Sequence, residues 1–115
     1  NIHEKLKLFS DHWSPKKVAE LNGQQVLLVK LKGAFVFHKH EEEDEFFMVL
    51  KGSLEIEMRD KTVTINAGEF YIVPRGVEHK PISKEEVHLL LFEPLEIKHT
   101  GTIIADITVE TYETI

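Results

Sequence analysis

Turn signals interrupt this chain so often that little besides short β-strands fits between them. Asn22-Gly23, Lys51-Gly52, Arg59-Asp60, Asn66-Ala67-Gly68 and Pro74-Arg75-Gly76 bracket apolar or alternating runs, each of strand rather than helix length. The clearest alternation is residues 53–59, where Leu54, Ile56 and Met58 share one face and charged side chains the other, so that strand is half buried. Residues 26–31, 46–50, 70–73 and 87–92 are more continuously apolar, as expected of strands packed on both faces in a sandwich or barrel, and residues 103–109 supply one more. No sustained period of 3.6 residues is present, and Lys84-Glu85-Glu86 reads as a charged turn between two strands. Residues 1–21 are expected to form an N-terminal arm or strand, or a short helical turn before Ser14-Pro15. Leu6, Leu8, Phe9 and Trp13 would then pack on the body of the fold or on a partner subunit.

With 115 residues and 42% hydrophobic side chains, the chain is sized for a single packed domain over residues 1–115. It has no cysteine, which excludes a disulfide framework and a thiolate zinc site, and a reducing cytoplasm is the expected compartment. No apolar run approaches the roughly 20 residues of a membrane span, and Asn1-Ile2-His3-Glu4-Lys5 does not read as a signal peptide. A formal net charge of −6 with scattered lysines opposes a nucleic acid as partner, because that binding rests on a basic stripe.

Chemistry concentrates in four residues. His38-Lys39-His40 would present both imidazoles on one face of an extended run, since residues i and i+2 of a strand point the same way. Glu45 follows after four residues, and His79 lies 39 positions beyond His40. Three imidazoles and one carboxylate can surround a divalent cation and leave coordination positions open. In a chain with seven histidines and sixteen glutamates any one of these could be incidental, but the spaced set together argues for a metal site. Its net positive charge would suit an anionic, enediol-like or chelating ligand. Glu41, Glu42, Glu43 and Asp44 read as a solvated acidic loop that lets Glu45 return to the ion.

These residues resemble the two signature motifs of the cupin superfamily. The first motif is matched by His38-Lys39-His40, four residues, Glu45, six residues and Gly52, with Gly33 one residue nearer to His38 than the pattern has it. The second is matched by Gly68, five residues, Pro74-Arg75-Gly76, two residues and His79, with Ser83 where the pattern has Asn. The resemblance implies an all-β fold, a small antiparallel β-barrel or jelly roll. His38, His40, Glu45 and His79 would point inward to hold iron, manganese, nickel or zinc. It is also similar to the small single-domain cupins labelled mannose-6-phosphate-isomerase-like, a label that describes likeness and not activity.

Two functions follow as expectations. One is a metal-dependent enzyme on a small polar organic molecule held in the barrel, either isomerase-like on a sugar or sugar phosphate or dioxygenase-like with ferrous iron. The other is a non-enzymatic ligand-binding or sensor domain, in keeping with the small size and the lack of a convincing second catalytic group. His88 lies in an apolar strand and reads as a hydrogen-bonded or outward-facing side chain before it reads as an acid or base. Arg75 reads as a solvent-facing turn residue before an anion contact, and His3, His12 and His99 read as surface residues. Trp13, Phe35, Phe37, Phe46, Phe47 and Met48 read as core or subunit contacts before a ligand cage. Apolar Phe- and Ile-rich edge strands lead us to expect a homodimer.

Overall fold

The computed structural model describes residues 1–95 and 112–115; the strand expected at residues 103–109 and His99 lie outside the described residues. Asn22 and Gly23 both take positive φ, 49° and 76°, the two-residue turn whose twist suits a β-hairpin. That turn joins β1 (Lys16–Leu21) to β2 (Gln24–Ala34). β1 falls within residues 1–21, for which an arm or strand was expected, and its few buried positions leave no apolar pattern to mark its bounds.

The whole of β2 lies along β7 (His79–Pro94), antiparallel from Gln24 opposite Pro94 to Ala34 opposite Ile82. On its other edge β7 changes partner. Its first half pairs with β4 (Ser53–Met58) and its second half with β3 (Glu45–Lys51). β5 (Thr62–Asn66) pairs with β4 and β6 (Phe70–Val73) with β3, while β8 (Glu113–Thr114) runs parallel to β1. The path β5-β4-β7-β2-β1-β8 stays open, with β3 and β6 branching from it. Among the described residues the result is a jelly-roll sandwich and not a closed barrel. No helix among the described residues is long and apolar enough to cross a membrane.

The core is what the alternation predicts. Leu54, Ile56 and Met58 point inward from β4 and meet Leu27, Val29 and Leu31 of β2, Phe47 and Val49 of β3, and Val87, Leu89 and Leu91 of β7. Lys84-Glu85-Glu86 is not a turn, however. β7 runs through it unbroken, and the register steps from Leu31 opposite Val87 to Gly33 opposite Ser83. Three exposed residues therefore stand against Lys32 alone, an outward bulge in a strand that keeps partners at both ends. The charges mark where β7 hands over from β4 to β3.

Gly52 sits at this handover, between β3 and β4, with φ +90°. A Cβ there would come 3.0 Å from the Glu86 carbonyl oxygen and 3.1 Å from Val87 Cγ2. The first residues form a short helix, α1 (Ile2–Leu6), whose first turn is capped by the Asn1 side chain accepting from Glu4 N at 3.0 Å. The following arm is bound to β2. Lys30, 9% exposed, donates through Nζ to the carbonyls of Leu6 and Phe9 at 2.8 and 2.6 Å, and the Trp13 indole donates to Lys32 O at 3.1 Å.

Gly52→Ala should lower the free energy of unfolding by about 1–3 kcal/mol in urea titrations, since it combines left-handed strain with contact against backbone. Gly33→Ala shares the φ of +90° but meets nothing within 4 Å, so it should cost less. Equal losses would show that the close approach to β7 contributes nothing.

Candidate metal centre

β2 ends at Ala34, so His38 and His40 do not lie on the regular strand expected of them. The segment is instead fastened to the start of β7 by separate bonds. Phe35 N donates to Pro81 O at 2.9 Å, and His38 and His79 exchange both backbone hydrogen bonds, at 3.0 and 2.9 Å. Gly76 N, in the Pro74-Arg75-Gly76 turn with φ +77°, donates to His40 O at 2.8 Å. Residues paired in this way across antiparallel chains project to the same side. The His38 and His79 rings accordingly stand with centroids 4.3 Å apart.

Both rings are oriented by the same local device. His38 Nδ1 donates to Val36 O at 2.9 Å and His79 Nδ1 to Val77 O at 3.0 Å, in each case the carbonyl two residues earlier. A carbonyl only accepts, so Nδ1 carries a proton in each ring, and in the neutral form Nε2 presents its lone pair to the interior. Glu45, the first residue of β3, meets these nitrogens with one oxygen. Its Oε2 lies 2.7 Å from His40 Nε2 and 3.3 Å from His79 Nε2. The four candidate ligand atoms lie within 4.8 Å of one another, and all four residues are buried.

Among the described residues, two of the nitrogens have no hydrogen-bond partner. His38 Nε2 is sealed from solvent without a partner, and His40 Nε2 is close to Glu45 yet out of hydrogen-bond alignment with it. Buried polar atoms normally find partners. Lone pairs that converge on a carboxylate instead of donors make a donor set that fits a divalent cation, which could bind there. Burial holds the His38 pKa down at about 4, from an ordinary 6.5, leaving the ring in the neutral form a metal requires. Burial opposes the charge on Glu45, but contact with the His40 and His79 imidazoles outweighs it and keeps its carboxyl well below the usual range. For His79, burial pulls the pKa down and Glu45 more than reverses it, so the net direction is up.

A cavity of about 30 Å³ opens beside the cluster, lined by Trp13, Leu31, Phe35, Phe47, Leu89 and Leu91 together with His38 and Glu45. Trp13 stacks on Phe35 at 4.7 Å, so the arm forms one wall. The remaining aromatics divide as core and surface: Phe47 is buried, Phe37 lies under the Arg59 guanidinium at 4.0 Å, and Phe46 stacks on Phe70 at 5.1 Å on the outer face.

The other residues singled out in the sequence stand away from the cluster. His88 faces outward and bonds Glu86 Oε1 at 2.8 Å, while His12 bonds the second oxygen at 2.7 Å. Together these imidazoles depress the Glu86 pKa to about 2. Arg75 is exposed beside Asp44, whose carboxylate accepts from Arg75 N at 2.9 Å. His3 is exposed on α1. Sequence reasoning missed Glu93, which is 1% exposed and whose pKa burial pushes well above the usual range, with the charges of Glu45 and Glu43 adding to the effect. The signal was available: Glu93 continues the inward series Val87, Leu89, Leu91.

The Cupin domain family matches residues 26–93. Among solved structures, a cupin-2 domain containing protein from Shewanella frigidimarina NCIMB 400 is 49% identical, with a TM-score of 0.81 over 82% of this chain and 92% of that one. A Neisseria meningitidis protein is 30% identical, with a TM-score of 0.76 over 82% and 96% of the two chains. The Bacillus subtilis strain 168 protein YdbB is 34% identical over 64 residues, covering 55% of this chain. That match spans 57% of the length of YdbB, little more than half.

In metal-free protein, His38 makes stability fall on acidification. Its folded pKa of about 4 lies below the unfolded 6.5, so in this window the unfolded chain binds the extra proton. The contribution, up to about 3 kcal/mol, is complete above pH 6.5 and lost as pH drops towards 4. Thermal unfolding in EDTA across that range should show a shallower slope for His38→Gln than for wild type; identical slopes would contradict it.

Proposed function

Because the chain belongs to the Cupin domain family and four of its buried side chains converge as ligands, we propose that it is a metal-dependent enzyme acting on a small organic molecule. The observation that carries this reading is the unpartnered Nε2 of His38 beside a single Glu45 oxygen that already faces both His40 and His79. His38, His40, Glu45 and His79 would hold iron, manganese, nickel or zinc. The metal, when bound, supplies Lewis acidity or oxygen activation at positions the four residues leave open.

The protein's own part is orientation and exclusion of water. Val36 O and Val77 O fix the tautomer of two ligands, and the walls of Trp13, Phe35 and Phe47 keep the side of the cluster toward the cavity dry. Isomerisation of a sugar-like molecule and oxidative cleavage are the reaction classes such a centre serves. The apolar walls beside His38 support a substrate that bonds to the metal at one end and leaves little charge within the sandwich.

His40→Ala and His79→Ala should each lose most of the bound metal while unfolding cooperatively like wild type, because the core is formed by other side chains. Metal content unchanged in both, measured by elemental analysis of purified protein, would refute the centre. Turnover of sugars or catechols by the loaded protein supports the enzyme; tight binding without turnover would assign it as a binding or sensor domain.

A homodimer is the assembly we propose. Phe70, Ile72 and Phe92 are 60%, 47% and 36% exposed on one outer face, and among the described residues β6 is paired along one edge only, to β3. Light scattering at tens of micromolar should give twice the chain mass, and Ile72→Glu should halve it; a wild-type monomer would rule the dimer out.

A further inference from the structure

The interior face of β7 runs Val87, Leu89, Leu91 and then Glu93, so a carboxyl stands where the next core side chain belongs. Among the described residues, neither oxygen of Glu93 has a hydrogen-bond partner. A group in that position has given up water and gained nothing in exchange, which folded proteins rarely tolerate. Opposite it on β2 is Gln25, equally buried, but the Gln25 amide donates to Pro94 O and Leu95 O at 3.2 and 3.4 Å. The amide paired with it across the two strands is thus already engaged with backbone. On the other edge, one position beyond the pair Phe46–Phe92, lies Glu45. Glu93 therefore sits inside the fold next to the ligand cluster without belonging to it.

We propose that Glu93 binds a hydroxyl group of the molecule held at the metal, so that the site takes a neutral, hydroxyl-bearing ligand and not a phosphate or carboxylate. The inference rests on the metal centre proposed above. A hydroxyl both donates and accepts, so it satisfies a carboxyl in either protonation state. An anionic group at the same place would face Glu45 and Glu43, whose charges both bear on Glu93. Among the described residues, no lysine or arginine pairs with any of these three carboxyls to offset that repulsion.

Cobalt-loaded protein provides the test, read from its visible absorption. Titrate it with catechol at mildly acidic pH, where both hydroxyls stay protonated, and separately with oxalate, a dianionic chelator. Glu93→Leu should weaken catechol at least roughly tenfold and leave oxalate unchanged or tighter, with the cobalt content of wild type. Glu93→Gln, which keeps a hydrogen-bonding head, should weaken catechol far less. The melting temperature of Glu93→Leu should equal or exceed that of wild type, because a purely structural carboxyl would leave a less stable protein when removed. If Glu93→Leu does not fold, Glu93→Ala carries the same comparison. Equal catechol affinity in wild type and Glu93→Leu, a parallel loss of oxalate, or no catechol binding by wild type would each overturn the role of Glu93 while the metal centre stands. Failure of wild type to take up cobalt would instead remove the centre itself, and this inference with it.

Discussion

Everything at the candidate centre depends on one reciprocal pair of backbone hydrogen bonds, between His38 and His79. They join residues far apart in sequence and do so outside any long ladder, as an isolated bridge. Their effect is to fix two imidazoles on the same side at a separation set by main-chain geometry, not by side-chain packing. Neighbouring bonds at Phe35 and Gly76 prevent the bridge from slipping. The third imidazole and the carboxylate then need only short connections: His40 is two residues on, and Glu45 begins the next strand.

β7 is the second organising element. It carries His79 at its start, core side chains along its length and Glu93 near its end, and it pairs with β2, β3 and β4. A single strand thereby holds the second motif in register with the first. The bulge at residues 84–86 is what lets it serve β4 and β3 in turn, and the absence of a side chain at Gly52 gives the corner room.

Much of this was legible in the sequence because the relevant periodicities are local. The alternation of Leu54, Ile56 and Met58 and the spacing of the four candidate ligands translate directly into faces and proximity. The failures have a common cause. Lys84-Glu85-Glu86 looked like a reversal because charge marks exposure, and exposure alone does not distinguish a turn from a bulge in a strand paired on both sides. His38 and His40 were placed on a strand by i, i+2 logic, whereas their common orientation comes from partners some forty residues away. The alternation Val87, Leu89, Leu91 marks Glu93 as inward-facing, but its lack of a partner depends on neighbours across two strands that no single stretch of chain contains.

Lys30 ties the N-terminal arm to β2 through two carbonyls, and the same arm carries Trp13 onto Phe35 beside His38. One wall of the cavity is therefore made by a segment outside the sandwich proper. Its attachment includes hydrogen bonds from Lys30 and Trp13, the His12–Glu86 pair and the Trp13–Phe35 stack. That wall is therefore held by contacts separate from the ladder that positions the imidazoles, so a change in the arm can reshape the cavity without moving the candidate ligands.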